Sequence, residues 1–242
     1  MPLIEHLTEL RQRLINVIVA LLAVFLSLVY FANDIYSFVA EPLRRFLPEG
    51  ATMIATEVAS PFLAPFKLTL VVAAMAVMPY VLFQAWSFVA PGMYRQEKRF
   101  ALPLLASSIV LFYCGVAFAY YVVCPMVFGF FTSVSPAGVT VMTDINHYLS
   151  FVLTMFFAFG FAFEIPVATV LLVWAGITTP QALTSKRPYI VVGCFAIGMV
   201  LTPPDVFSQT LLAVPMWMLF EVGVLASRWL LATKSREDTA TG

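Results

Sequence analysis

The chain has 242 residues, a formal net charge of zero, 62% hydrophobic side chains and 11% charged ones. That balance excludes an ordinary soluble domain, where about a quarter of residues are charged. It also leaves no overall basic footprint for binding nucleic acid.

Met1–Arg13 carries Glu5, Glu9, Arg11 and Arg13. No small-residue cleavage site follows, so the first apolar run reads as a retained span rather than a secretory signal. Leu3, Leu7, Leu10 and Leu14 recur at helical spacing and make the segment an amphipathic lead-in. Glu9 stands four residues before Arg13, a pairing worth about 0.2–0.5 kcal/mol. The competing reading is a carboxylate kept at a membrane edge for a cationic ligand.

Leu14–Asn33 is free of charge for twenty residues and is long enough to cross a bilayer as a helix. The segment 34–66 is rich in proline (Pro42, Pro48, Pro61, Pro65), yet it holds Ile35, Phe38, Val39, Leu43 and Phe46. This pattern predicts short interfacial helices capping the outer face. A second span covers 68–90 and is ended by Pro91-Gly92. The cation-rich segment Tyr94-Arg95-Gln96-Glu97-Lys98-Arg99 follows, and Glu97 carries the same two readings as Glu9.

Phe100–Thr143 lacks charge for 44 residues, enough for two crossings. One crossing, about 101–131, is expected, because Ser135-Pro136-Ala137-Gly138 is a turn cluster and Val139–His147 turns polar. The fourth span, 148–174, contains Glu164. The fifth and sixth, 189–201 and 206–225, are short and are separated by Thr202-Pro203-Pro204-Asp205. About 14 helical residues reach only ~21 Å against ~30 Å of hydrocarbon. Residues 233–242 read as a disordered tail, and 1–232 as a single membrane domain.

The expected fold class is therefore all-α, with six transmembrane helices and both termini inside. In that arrangement Arg11, Arg13, Arg95, Lys98, Arg99, Lys186, Arg187, Arg228, Lys234 and Arg236 are cytoplasmic, against Arg44, Arg45 and Lys67 outside. The asymmetry obeys the positive-inside rule. It also puts Glu9 and Glu97 on one face.

No phosphate-binding GxxxxGK[ST], HExxH or nucleophile-elbow pattern occurs, and Cys114, Cys124 and Cys194 lie in apolar stretches without CxxC spacing. No enzyme, metal site or cofactor is expected. Glu164 is the intramembrane acid. Keeping it ionised costs about 2.5–3.5 kcal/mol, and protonating it at pH 7 costs about 3.7 kcal/mol. Both states remain open, and Pro166 loosens the helix beside it. A proton-coupled small-solute transporter using Glu164 is one function compatible with these residues. Asp205 is placed to cap the sixth span, and Gln209 to bond a neighbouring helix.

Four strings, His6-Leu7-Thr8-Glu9-Leu10-Arg11-Gln12-Arg13-Leu14, Phe88-Val89-Ala90-Pro91-Gly92-Met93-Tyr94, Phe163-Glu164-Ile165-Pro166 and Leu201-Thr202-Pro203-Pro204-Asp205-Val206-Phe207-Ser208-Gln209, carry a resemblance to the TatC family. This is the multi-spanning receptor subunit of the twin-arginine protein translocase. The resemblance covers about Leu3 to Arg228. It implies a bacterial inner-membrane receptor and scaffold, driven by proton-motive force, that binds twin-arginine signal peptides of folded cargo at the cytoplasmic face. It implies partners too: the single-span TatA and TatB, membrane lipid, and further copies of the chain. Glu9 and Glu97 match the family's recognition glutamates, with Arg11, Arg99 and Phe88 beside them. Glu164 matches the acid facing the family's concave interior. Thr202, Asp205 and Gln209 match the helix ends used by the single-span partners.

Overall fold

The computed structural model describes the backbone of residues 3–46, 54–89, 98–134, 144–201 and 206–240, with side chains at 7–41, 54–88, 102–134, 144–201 and 206–230. The described residues are almost wholly helical. Five helical stretches are long and apolar enough to cross a membrane: Leu7–Glu41, Ser60–Phe88, Leu102–Ser133, Ile145–Trp174 and Val206–Leu230. A shorter apolar helix covers Arg187–Leu201. Its 15 residues reach about 22 Å, so the helix over the stretch expected as the fifth span is short.

The chain divides into two compact units. The first comprises Met1–Ile109 and Cys124–Leu153. In it α1 (Leu3–Leu28) passes through a tight turn, Val29–Phe31, into α2 (Ala32–Phe46). The interfacial helix expected in 34–66 is thus a continuation of the first span. Both α1 and α2 pack on α3 (Ser60–Val89). Buried Val39, Ala40, Ala64, Leu68, Leu149 and Val152 form its core. The Tyr148 hydroxyl donates to the Val39 carbonyl at 2.9 Å. Lys67, a cation inside an apolar helix, donates from Nζ to Ser150 Oγ at 2.8 Å.

One stretch of the 44-residue charge-free run, Leu102–Ser133, is helical and is long and apolar enough to cross a membrane. It runs through α4 (Lys98–Phe118), a π-helical turn at Ala119–Val123 and α5 (Cys124–Ser133). Pro125 accounts for the wide turn: it has no N–H to give, and its ring crowds the carbonyl four residues back.

The second unit comprises Val110–Val123 and Thr154–Gly242. Here the expected fourth span is interrupted. The helix α6 (Ile145–Ala162) stops, Phe163 and Glu164 form a turn, and α7 (Ile165–Trp174) resumes. Pro166 explains the break, because it lacks the N–H that would bond the Ala162 carbonyl. Then follow α8 (Pro180–Ser185), capped by the Thr179 side chain accepting from Ala182 N at 3.2 Å, and α9 (Arg187–Leu201).

The last helix, α10, runs from Val206 to Ala240. It is not the short span expected to end at Leu225, and it crosses the stretch expected as a disordered tail. Hydropathy falls after Leu225, but no glycine or proline interrupts the chain again before Gly242, so the helix has no reason to stop there.

Glycines let the helices of this unit approach closely. A side chain at Gly223 would lie 2.8 Å from Pro166 Cα, and one at Gly115 would lie 2.3 Å from the Phe159 carbonyl oxygen. Such small-residue contacts are the usual means of helix association where lipid replaces water.

Candidate functional site

The amphipathic start of α1 places Glu9 one turn before Arg13. The pairing legible in the i,i+4 spacing forms: Arg13 Nη2 and Nε donate to Glu9 Oε1 at 2.6 and 3.0 Å. Both side chains are partly exposed, at 32% for Glu9 and 23% for Arg13, so the pair adds little stability on its own.

Its importance is positional. Arg13 also donates from Nη1 to Gln84 Oε1 at 2.8 Å, and from Nη2 to the Ser87 carbonyl at 3.3 Å. Gln84 in turn donates from Nε2 to the Tyr80 hydroxyl at 2.7 Å. A polar chain thus fastens Glu9 to the C-terminal end of α3. Glu9 Oε2 takes no hydrogen bond among the described residues. Phe88 lies four residues beyond Gln84, half-buried, and Arg11 is exposed two residues after Glu9.

Glu97, Thr202 and Asp205 lie outside the described residues, as does the side chain of Arg99. Glu164 is half-buried at the α6–α7 turn, with its Oε1 atom buried. Its carbonyl accepts from Ala168 N at 2.9 Å, which opens α7. Next to it, Phe161, Ala162 and Ile165 help line an apolar groove of about 510 Å³ within the second unit. Among the described residues, Thr154 is the one polar side chain in that lining. Gln209 makes the neighbouring-helix bond expected of it: Nε2 donates to the Phe195 carbonyl of α9 at 2.9 Å.

Sequence reasoning missed three polar groups. Gln84 had no signal beyond being a lone amide in an apolar helix. Glu221 interrupts the apolar run of α10 as plainly as Glu164 interrupts its own. It accepts from Arg187 Nη2 at the start of α9, a partner 34 positions away in sequence that no local spacing reveals.

Asp144 is the third. One carboxylate oxygen accepts from the Thr56 hydroxyl at 2.7 Å and from Thr56 N at 3.0 Å. The other accepts from Asn146 N and His147 N at 2.8 and 3.1 Å. The carboxylate therefore caps α6 and ties it to the 54–57 strip, where Ile145 N also donates to the Ile54 carbonyl.

Hydrogen bonds from Thr56 lower the Asp144 pKa from 3.8 to about 2. A depressed carboxylate stabilises the fold fully above its unfolded value and loses that contribution as pH falls through the folded value. Wild-type thermal stability should therefore fall between about pH 4 and pH 2 by more than that of Asp144→Asn. Melting in detergent across that window checks this, and parallel losses in the two proteins would contradict it.

Residues 5–215 match the family model for the Sec-independent protein translocase protein TatC. The chain is 66% identical over 224 residues to a Sec-independent protein translocase protein TatC of Azotobacter chroococcum mcd 1, covering 93% of this chain and 88% of that one. It is 58% identical over 238 residues to the Escherichia coli K12 protein of the same name, covering 98% and 92%. The crystal structure of a twin arginine translocase receptor, TatC, superposes with a TM-score of 0.83 at 36% identity, over 93% of this chain and 98% of the other. A small-solute transporter is not favoured by these similarities. The chain belongs to the TatC family: it is a multi-pass membrane component of the Sec-independent, twin-arginine protein translocase, and not an enzyme.

Proposed function

We propose that the chain is the signal-peptide receptor and scaffold of twin-arginine export in the bacterial inner membrane. In this reading it crosses six times, α9 being the fifth span, with both termini in the cytoplasm. It forms a single membrane domain over 1–232, and it meets TatA and TatB at the end of the molecule carrying Thr202, Asp205 and Gln209. Several copies assemble into one receptor complex, and the proton-motive force drives transport.

The observation that supports the receptor role best is the fastening of Glu9. Arg13 neutralises one carboxylate oxygen and is itself held by Gln84 and the Ser87 carbonyl, while Oε2 stays available. A carboxylate held in this way presents a fixed acceptor edge to a guanidinium fork. Glu97 supplies the second acceptor, Phe88 an apolar contact, and Arg11 and Arg99 the edges of the site. Two charge-assisted bonds of about 1.5–3 kcal/mol each correspond to affinity between the millimolar range and tens of micromolar. The apolar part of the signal supplies the rest, and the glutamates select the ligand.

Glu164 acts after binding. The Glu164→Gln variant should abolish export while photo-crosslinking to a twin-arginine signal continues. Wild-type export by this variant would reduce Glu164 to a structural role. Failure of the wild-type chain to crosslink at all would overturn the receptor reading.

A further inference from the structure

We propose that Lys186 and Arg228 form a site for the phosphate of an anionic phospholipid headgroup, with Thr184 holding Arg228 in place. All of these groups belong to the second unit. Arg228 is exposed on α10 and donates from Nη2 to Thr184 Oγ1 of α8 at 2.7 Å. The acceptor is fixed in turn, because the Thr184 hydroxyl donates to the Pro180 carbonyl at 2.7 Å. Part of the guanidinium's conformational freedom is therefore already lost before a ligand arrives, and its remaining N–H groups are left to meet an anion.

Lys186 stands two residues beyond Thr184. It is exposed and enters no ion pair among the described residues. Arg187, the first residue of α9, is neutralised by Glu221. Two cations that enter no ion pair among the described residues thus stand at the end of α8 and on α10, and α8, α9 and α10 pack together.

The surroundings choose a lipid over a free phosphate. Tyr189 and Trp229 are 78% and 70% exposed, and amphipathic rings of this kind lie at headgroup depth. Val192 and Leu225, 68% and 60% exposed, continue the surface along α9 and α10. An anion held by Lys186 and Arg228 therefore sits at the head of an apolar wall that suits acyl chains. A basic cluster at the edge of membrane helices is the usual chemistry for capturing acidic headgroups.

The full chain in detergent, equilibrated with equal amounts of dioleoylphosphatidylglycerol and dioleoylphosphatidylcholine, tests this by mass spectrometry of retained lipid. The wild type should retain phosphatidylglycerol preferentially. Lys186→Gln and Arg228→Gln should each reduce that preference about fivefold, and the double variant about 25-fold, since one basic residue near an anionic surface is worth about 1 kcal/mol. Thr184→Val, which keeps every charge, should reduce it as well, while inorganic phosphate should leave the retained lipid in place.

Unchanged preference in the double variant would overturn the proposal. So would full preference in Thr184→Val, since diffuse charge would then suffice. Displacement of the lipid by inorganic phosphate would reassign the site to free anions. Unaltered melting temperatures in the three single variants would confirm that folding is not what the lipid count reports.

Discussion

Glu97→Ala is expected to weaken crosslinking to a twin-arginine signal by about 10- to 150-fold, the equivalent of one charge-assisted hydrogen bond of about 1.5–3 kcal/mol. The protein should still insert, because Glu97 lies in a cation-rich segment between apolar runs rather than inside one. Glu9→Ala should lose a similar amount for a second reason as well. Removing that carboxylate leaves Arg13 bonded only to Gln84 and the Ser87 carbonyl, so a cation without its counter-charge faces the incoming arginines. Repulsion then adds to the missing acceptor. Full crosslinking in Glu97→Ala would exclude it from the site.

The largest expected effect on stability is at Gly115. A methyl group there would lie 2.3 Å from the Phe159 carbonyl oxygen and 2.8 Å from its carbon. These are backbone atoms that no rotamer change can move away, so α4 and α6 must separate. Gly115→Ala should cost about 3 kcal/mol, the upper end of the range for an overpacked contact. Gly193→Ala is the matched control, because nothing lies within 4 Å of the added carbon. That change should stay within about 0.5 kcal/mol of wild type. Thermal unfolding in detergent separates the two. Equal midpoints would mean that the close approach at Gly115 carries no packing energy.

Charge spacing made most of the helices legible. A stretch of twenty or more residues without a charge has one stable state in lipid, a helix that satisfies its own backbone, and α1, α3 and α4–α5 follow from that, while α6–α7 follows from two apolar runs on either side of Glu164. Pro166 likewise announced the break beside Glu164. The end of α10 was not legible, because hydropathy measures where lipid ends and not where a helix does. Its last turns need only helix-forming residues and no breaker, which 226–240 supply.

The candidate site was legible only as far as local spacing reached. The bond between Glu9 and Arg13 follows from four residues of separation. The anchoring of Arg13 by Gln84, 71 positions on, does not. Nor does the pairing of Arg187 with Glu221, or the hold of Thr56 on Asp144. Each is a tertiary contact whose partners carry no mutual pattern in the chain. Glu164 shows the converse: an acid inside an apolar run is conspicuous in sequence, while its surroundings emerge only when α6, α9 and α10 line a common groove.

The most direct test of the receptor account is the affinity of a twin-arginine signal peptide for the full chain in lipid nanodiscs, measured for wild type and for the Glu9→Ala/Glu97→Ala double variant. Two lost charge-assisted contacts, together about 3–6 kcal/mol, predict a drop of roughly 10²- to 10⁴-fold. A twin-lysine peptide should bind the wild type more weakly and should lose less on mutation, since an ammonium cannot engage a carboxylate as a fork. Equal affinity of the wild type and the double variant for the twin-arginine peptide would contradict the account.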